Sequence, residues 1–176
     1  MSREHPTEIA GPYEGPPRSF TDAEGREISI RRCDDDFEAL VEMYRSFDPE
    51  DRAQGIPPTD EGSIREWLES LMKSDCINVL AFHEGSVVGH AMLVPDRHGD
   101  SELAIFVLRE YQQAGIGTEL VEALLGAGRT AGVERIWLTV ERWNGPAVVL
   151  YRKVGFESSD SSGFELEMAA TLNDPD

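Results

Sequence analysis

The run Glu102-Leu103-Ala104-Ile105-Phe106-Val107-Leu108, followed three residues later by Gln112-Gln113-Ala114-Gly115-Ile116-Gly117-Thr118, decides how the chain is read. The first part is short, almost wholly apolar and rich in β-formers, which predicts a strand from Glu102 to Leu108 buried on both faces. The second sets two glycines ahead of Leu120, Val121, Leu124 and Leu125, whose spacing predicts a helix from about Gly115 to Thr130. Strand, glycine turn and helix together outline an anion site. The first N–H groups of a helix lack internal partners and carry the positive end of its dipole, and glycine lets a phosphate approach bare backbone. The same glycines would equally mark a tight strand-to-helix turn. The run has neither the Lys-Ser/Thr of a P-loop nor the third glycine of a dinucleotide fingerprint, so nucleotide hydrolysis and hydride transfer lose support.

Working outward, Ile77 to Phe82 and Val87 to Val94 flank the turn His83-Glu84-Gly85-Ser86 and predict a hairpin. Before it come two helices. One starts at Asp34 or Asp35 and carries the stripe Phe37, Leu40, Val41, Tyr44 and Phe47; the other starts near Thr59 or Asp60 and carries Ile64, Trp67, Leu68 and Leu71. A strand from Glu27 to Arg32 precedes both. Residues 1–26 hold Pro6, Gly11, Pro12, Gly15, Pro16, Pro17 and Gly25 with little periodicity, and read as a flexible N-terminal arm outside the core. After the glycine turn follow a strand Arg135 to Val140, a helix Asn144 to Val154 closed by Gly155, and a terminal hairpin around Phe156 and Phe164 to Met168. The expected organisation is one α/β domain over 27–172 with a tail of 173–176.

A chain of 176 residues suits one domain. With 34 acidic and 16 basic residues the net charge is −18, while 40% hydrophobic residues supply a core. So acidic a surface argues against nucleic acid, whose binding neutralises phosphates with Lys and Arg. Only Lys73 and Lys153 are lysines, against 14 arginines, and such lysine-poor, acid-rich composition resembles halophile proteins. Cys33 and Cys76 form no CxxC, and His5, His83, His90 and His98 form no HExxH or HxxxH, so no metal site is expected. His90, in a strand, is expected to be a satisfied structural histidine. The N-terminus has no apolar leader and no run approaches the roughly 18 apolar residues of a membrane span, so a cytoplasmic protein with reduced thiols is expected.

A second cluster lies in Asn144-Gly145-Pro146-Ala147-Val148-Val149-Leu150-Tyr151-Arg152-Lys153-Val154-Gly155-Phe156. Asn144 suits a helix cap, and Tyr151, about two turns on, lies on the same side of that helix. A core aromatic behind a simple cap would look the same. Taken together, Gln112, Gly115 and Gly117 as Q/R-x-x-G-x-G/A, and Asn144, Tyr151, Gly155 and Phe156 as N-x(6)-Y-x-x-x-G-F, resemble the GCN5-related N-acetyltransferase (GNAT) superfamily. The likeness covers about residues 27 to 170.

The resemblance implies a GNAT fold: a central mixed β-sheet splayed between strands 4 and 5, with flanking helices and acetyl-CoA in the opening. It implies cofactor binding at the turn that Gln112 opens, with the pyrophosphate on the amides of Gln113, Ala114, Gly115, Ile116, Gly117 and Thr118. The pantetheine would run along Ile105, Phe106 and Val107, with an N–H near Ile105 polarising the thioester carbonyl. Asn144 matches a pantetheine contact and Tyr151 the general acid. Glu102 lies ten residues before Gln112, where bacterial protein-lysine acetyltransferases carry a glutamate, and is the candidate base; Glu141 is the reserve. Ribosomal-protein N-terminal acetyltransferases carry theirs five residues before the Asn, and here that position is Thr139.

The expected activity is transfer of acetyl from acetyl-CoA to a primary amine, on a small molecule or a protein, by direct attack in a ternary complex. A non-catalytic acyl-CoA-binding or sensing module is the alternative. The first two helices would cover the acceptor side, where Asp48, Glu50, Asp60, Glu61 and Glu66 could attract a cationic amine. Neither nucleic acid nor membrane is an expected partner, and the assembly would be a monomer or homodimer.

Overall fold

The computed structural model describes residues 3–52, 55–73, 75–158 and 163–174. Its strands are β1 (Arg18–Thr21), β2 (Glu27–Arg32), β3 (Ile77–His83), β4 (Ser86–Pro95), β5 (Ser101–Val107), β6 (Arg135–Glu141), β7 (Glu157–Ser158) and β8 (Glu165–Thr171). The α-helices are α1 (Phe37–Arg45), α2 (Glu61–Leu71), α3 (Ile116–Thr130) and α4 (Gly145–Lys153). All eight strands form one mixed sheet in the order β1-β2-β3-β4-β5-β6-β8-β7, antiparallel throughout except between β5 and β6.

Period-two alternation divides the side chains between the two faces. On one face Ile28, Ile30, Val79, Leu103, Ile136, Leu138 and Met168 pack against α3 and α4. On the other, Leu80, Met92 and Phe82 pack against the buried stripes of α1 and α2, Leu40 and Tyr44 on one helix and Ile64 and Leu68 on the other. Local chemistry fixes the helix starts. The Asp60 carboxylate accepts from the Ser63 N–H at 2.9 Å, capping α2. Asp36, at the α1 cap position, is instead gripped by both arms of Arg31 at 2.8 Å each, which ties β2 to the helix it feeds. That fork holds the Asp36 carboxyl below its usual range.

The central opening is where periodicity and structure part. β5 pairs with β4 over its full length, from Ser101 opposite Pro95 to Val107 opposite Gly89. It meets β6 only at Ser101–Ile136 and Glu102–Trp137, while β6 pairs along its whole length with β8. Each lip is thus held by its outer neighbour and the two diverge. Ala104, Ile105, Phe106 and Val107 are consequently half-buried, not buried on both faces as the apolar run suggests. Counted from β2, the gap falls between the fourth and fifth strands, as the resemblance implies.

The segment before β2 also differs from expectation. It supplies β1, and upstream Ile9 bridges to Thr171, the Ala10 N–H donates to the Thr171 carbonyl at 2.8 Å and Ala10 is buried. The Tyr13 hydroxyl donates to the Val154 carbonyl at 3.0 Å. Gly15 crosses α3 at Gly126, where a Cβ would stand 2.5 Å from the Gly15 nitrogen, so the crossing requires glycine. Among the described residues no helix is long and apolar enough to cross a membrane.

Candidate active site

At the end of β5 the chain makes a short 3-10 turn, Arg109–Tyr111, and enters α3. Gly115 takes φ +93°, a left-handed conformation that suits glycine, and forms the N-cap from which α3 starts. Gln113 adopts φ 58° in the same turn. Gly117 stands between β5 and α4: a Cβ there would lie 3.2 Å from the Leu150 side chain and 3.9 Å from that of Ile105. Ala114 is buried and its carbonyl accepts from the Ala23 N–H at 3.0 Å, fixing the turn to the β1–β2 connection. The Gln112 amide donates to the Val107 carbonyl at 3.0 Å and to Asp51 at 3.2 Å. Ile116 is buried, and Thr118 follows Gly117 in the first turn.

Across the opening, Asn144 caps α4, its Oδ1 accepting from the Ala147 N–H at 3.4 Å. Two turns on, Tyr151 is buried with its ring edge-on to Phe156, 5.7 Å between centroids. Its hydroxyl makes no hydrogen bond among the described residues, and burial raises its pKa well above the ordinary phenol range. A phenol held there parts with its proton reluctantly. It is better suited to donating a hydrogen bond to a charged leaving group than to transferring the proton outright.

Glu102 lies on the opposite face of β5 from Leu103, beside Ala104 and Phe106 in alternation, on the side of α1 and α2. Desolvation by its surroundings raises its pKa, Arg3 opposes the rise and Asp96 adds to it. A carboxylate held above its usual range is a better proton acceptor near neutrality. Alternation puts Trp137, Thr139 and Glu141 on this same face of β6, since Ile136, Leu138 and Val140 point into the α3–α4 core. The gap therefore has Gly117 and Tyr151 toward one face, and Glu102 and Glu141 on the other.

Two features of the site go beyond the motifs. Tyr44 of α1, Phe47 just beyond its end, Trp67 of α2 and Phe106 of β5 converge, with Trp67 and Phe47 each edge-on to Phe106 at 5.7 and 5.8 Å. Helical spacing marks the first three, but only the alternation of β5 indicates that Phe106 joins them. Behind this cluster the Tyr44 hydroxyl donates to His90 Nδ1 at 2.7 Å and His90 Nε2 donates to Asn78 Oδ1 at 2.7 Å. The direction follows from Asn78, whose Nδ2 is spent on the Leu71 carbonyl at 2.8 Å. His90 is thus a neutral, fully satisfied histidine, and burial pushes its pKa down to about 3.

The loop after α1 is tied to the segment before α3 by Arg109, which reaches Asp48 and Asp51 at 2.9 Å and Glu50 at 3.4 Å. Asp48 and Glu50 thus share one guanidinium with Asp51, and the cluster keeps a net negative charge. Cys33 and Cys76 are both free thiols; they line a hollow of about 350 Å³ at the β2–β3 end, away from the gap.

A family model described as the acetyltransferase (GNAT) family matches residues 37–156. An uncharacterized N-acetyltransferase of Mycobacterium tuberculosis is 33% identical over 87 residues, 49% of this chain and 56% of that protein. The chain spans about half the length of the curated relatives it matches. The crystal structure of the GNAT domain of S. lividans PAT resembles it with a TM-score of 0.75 at 16% identity, over 89% of this chain and 97% of that one. The structure of yncA from Salmonella typhimurium, solved with its cofactor acetyl-CoA, gives 0.67 at 20% identity, over 85% and 96%. At such identities the likeness concerns the fold.

Proposed function

The chain belongs to the acetyltransferase (GNAT) family, and from that premise we propose that it transfers the acetyl group of acetyl-CoA to a primary amine by direct attack in a ternary complex. The observation that carries the reading is the diverging β5–β6 pair with the amides of α3 at its mouth and Tyr151 on the facing helix. A pyrophosphate suits the first turn of α3: the Gln112 amide is spent on the Arg109 carbonyl, but those of Gln113 to Thr118 have no backbone partner among the described residues and lie beside Gly117, which has no side chain. The freed edge of β5, Ile105 to Val107, offers backbone groups to a pantetheine arm, with Asn144 opposite.

In the reaction the amine nitrogen bonds to the thioester carbon, the carbon–sulfur bond breaks, and the electron pair leaves on sulfur. An N–H of β5 near Ile105 stabilises the oxyanion. The Tyr151 hydroxyl donates a hydrogen bond to the departing sulfur, which leaves as a thiolate. The proton lost by the amine passes to Glu102, directly or through water, because an alkylammonium near pKa ~10.4 cannot attack while charged. Glu141 stands in reserve on the neighbouring strand.

The acceptor is a small-molecule or protein amine entering from the α1–α2 side, onto the Phe47–Trp67–Phe106 surface. The setting is the cytoplasm, and the composition suits a salt-loaded one, with the chain acting as monomer or homodimer. Incubating the protein with acetyl-CoA and a panel of amines while following free thiol tests the activity. Release that depends on the amine is expected. Cofactor binding without release for any amine would overturn it in favour of an acyl-CoA-binding module.

A further inference from the structure

The N-terminal segment carries a cation onto the face that holds Glu102. The Arg3 guanidinium lies over the Trp137 ring, 3.6 Å from its centroid. Its Nε pairs with the Glu167 carboxylate and its Nη1 stands 3.7 Å from Asp96. Trp137 is held independently, its Nε1 donating to Asp96 at 2.9 Å, and it is the register partner of Glu102 across the β5–β6 pair. An indole face rimmed by carboxylates from the β4–β5 connection and from β8 matches a cation in both its attractions, to the ring quadrupole and to the opposite charge.

The segment that carries the occupant leaves one buried group unsatisfied. His5, two residues on, has a side chain only 5% exposed, yet its Nε2 has no hydrogen-bond partner among the described residues and stands 3.5 Å from the Asp100 carboxylate. Burying a ring nitrogen unpaired opposes docking of the segment. Arg3 itself keeps 28% of its side chain in solvent.

We propose that the Trp137–Asp96–Glu167 box is a subsite for a second positive group on the acceptor, and that Arg3 is its intramolecular occupant, displaced when such an acceptor binds. This rests on the acetyl-transfer reading and adds a substrate class to it: a primary amine with another cation at a set distance. That distance follows from register. Ile105, beside the expected thioester, lies three residues beyond Glu102, about 10 Å at about 3.3 Å per residue, which the chain of diaminooctane can span.

The test compares diaminooctane, a cation at each end, with octylamine, which has one, on the full chain and on Arg3→Gln, Arg3→Lys and the double variant Arg3→Gln/Trp137→Leu. Calorimetry in the presence of CoA reads binding without turnover. Arg3→Gln should bind the diamine about fivefold more tightly than wild type, about 1 kcal/mol at about 1.4 kcal/mol per decade. Octylamine should stay within about twofold, Arg3→Lys should remain near wild type, and the double variant should lose the gain. Equal diamine affinity in wild type and Arg3→Gln, or an equal change for both amines, overturns the subsite. Thiol release is read separately: if none occurs while the binding difference persists, the acetyl-transfer reading fails and the cation subsite stands.

Discussion

At the level of single residues, burial separates three titratable groups. Tyr151 is pushed up by desolvation alone, which fits the proposed role of hydrogen-bonding the leaving sulfur better than that of full proton donor. Tyr151→Phe should lower kcat by about 10² to 10⁴ while calorimetry finds acetyl-CoA affinity nearly unchanged; a full-rate variant overturns the role. Glu102 is also raised, which moves the acid limb of the rate profile toward neutrality, because the carboxyl works as a base only above its own pKa. Glu102→Gln should be slowest relative to wild type near neutrality and recover as pH rises toward the amine's ~10.4, where free amine no longer needs a base. A ratio flat across pH counts against Glu102. His90 is the opposite case, a base pushed down to about 3. The unfolded chain protonates it below about 6.5, and the folded chain does not. Stability from this residue is therefore fully present above about 6.5 and is lost as pH falls toward 3, at up to about 1.4 kcal/mol per pH unit. Denaturant unfolding between about pH 6 and pH 4 should show a slope in wild type that is less by one proton in His90→Gln. Equal slopes would mean that His90 is not held neutral.

Among the elements, the turn into α3 is the part that both β5 and α4 approach. Gly117 combines two reasons for lacking a side chain, space and charge, and they separate experimentally. A Cβ would meet the end of the Leu150 side chain at 3.2 Å, a contact that a rotamer change can relieve. Gly117→Ala should therefore cost acetyl-CoA affinity only a few-fold, whereas Gly117→Asp, setting a carboxylate against the pyrophosphate, should cost about tenfold or more in a folded protein. Equal affinity for CoA in wild type and the Asp variant would remove the cofactor assignment. The same element shows what was legible beforehand. Its stripe of Leu120, Val121, Leu124 and Leu125 marks the helix to within a residue of its observed start, Ile116. Local period likewise finds β2 to β6, α1 and α2, because each pattern is set by which face is buried. It does not find that β5 leaves β6 after Glu102, since divergence is decided by β4 and β8, far away in sequence. Nor does it mark the docking of Ala10, Tyr13 and Arg3, whose partners Thr171, Val154 and Glu167 lie at the far end of the chain. The candidate site was legible as two motifs; that Glu102, Trp137 and Glu141 share one face of the β5–β6 gap was not, because it depends on how the two strands pair.

For the whole molecule the decisive quantity is the −18 charge. The arginines are largely committed: Arg109 faces Asp48, Glu50 and Asp51, Arg18 faces Glu119 and Glu122, and Arg65 faces Glu38 and Glu61. Added salt acts on two opposing terms. It weakens these exposed pairs, each of which contributes about 0 to 1 kcal/mol, and it relieves repulsion among the carboxylates left over. With about twice as many acids as bases the second term extends over the whole surface, whereas the first is confined to a few contacts. At about 1 M the Debye length is about 3 Å, so repulsion between neighbouring surface acids is largely gone, as is any long-range steering of a cationic amine. Thermal melting should accordingly rise from about 0.1 M to about 2 M KCl, a span set by that screening length, and turnover should persist at the upper end. A level melting temperature together with activity that collapses on adding salt would mean that the acids serve to capture substrate, with the field over the acceptor face, around Glu102, Glu141 and Glu167, as the term that matters.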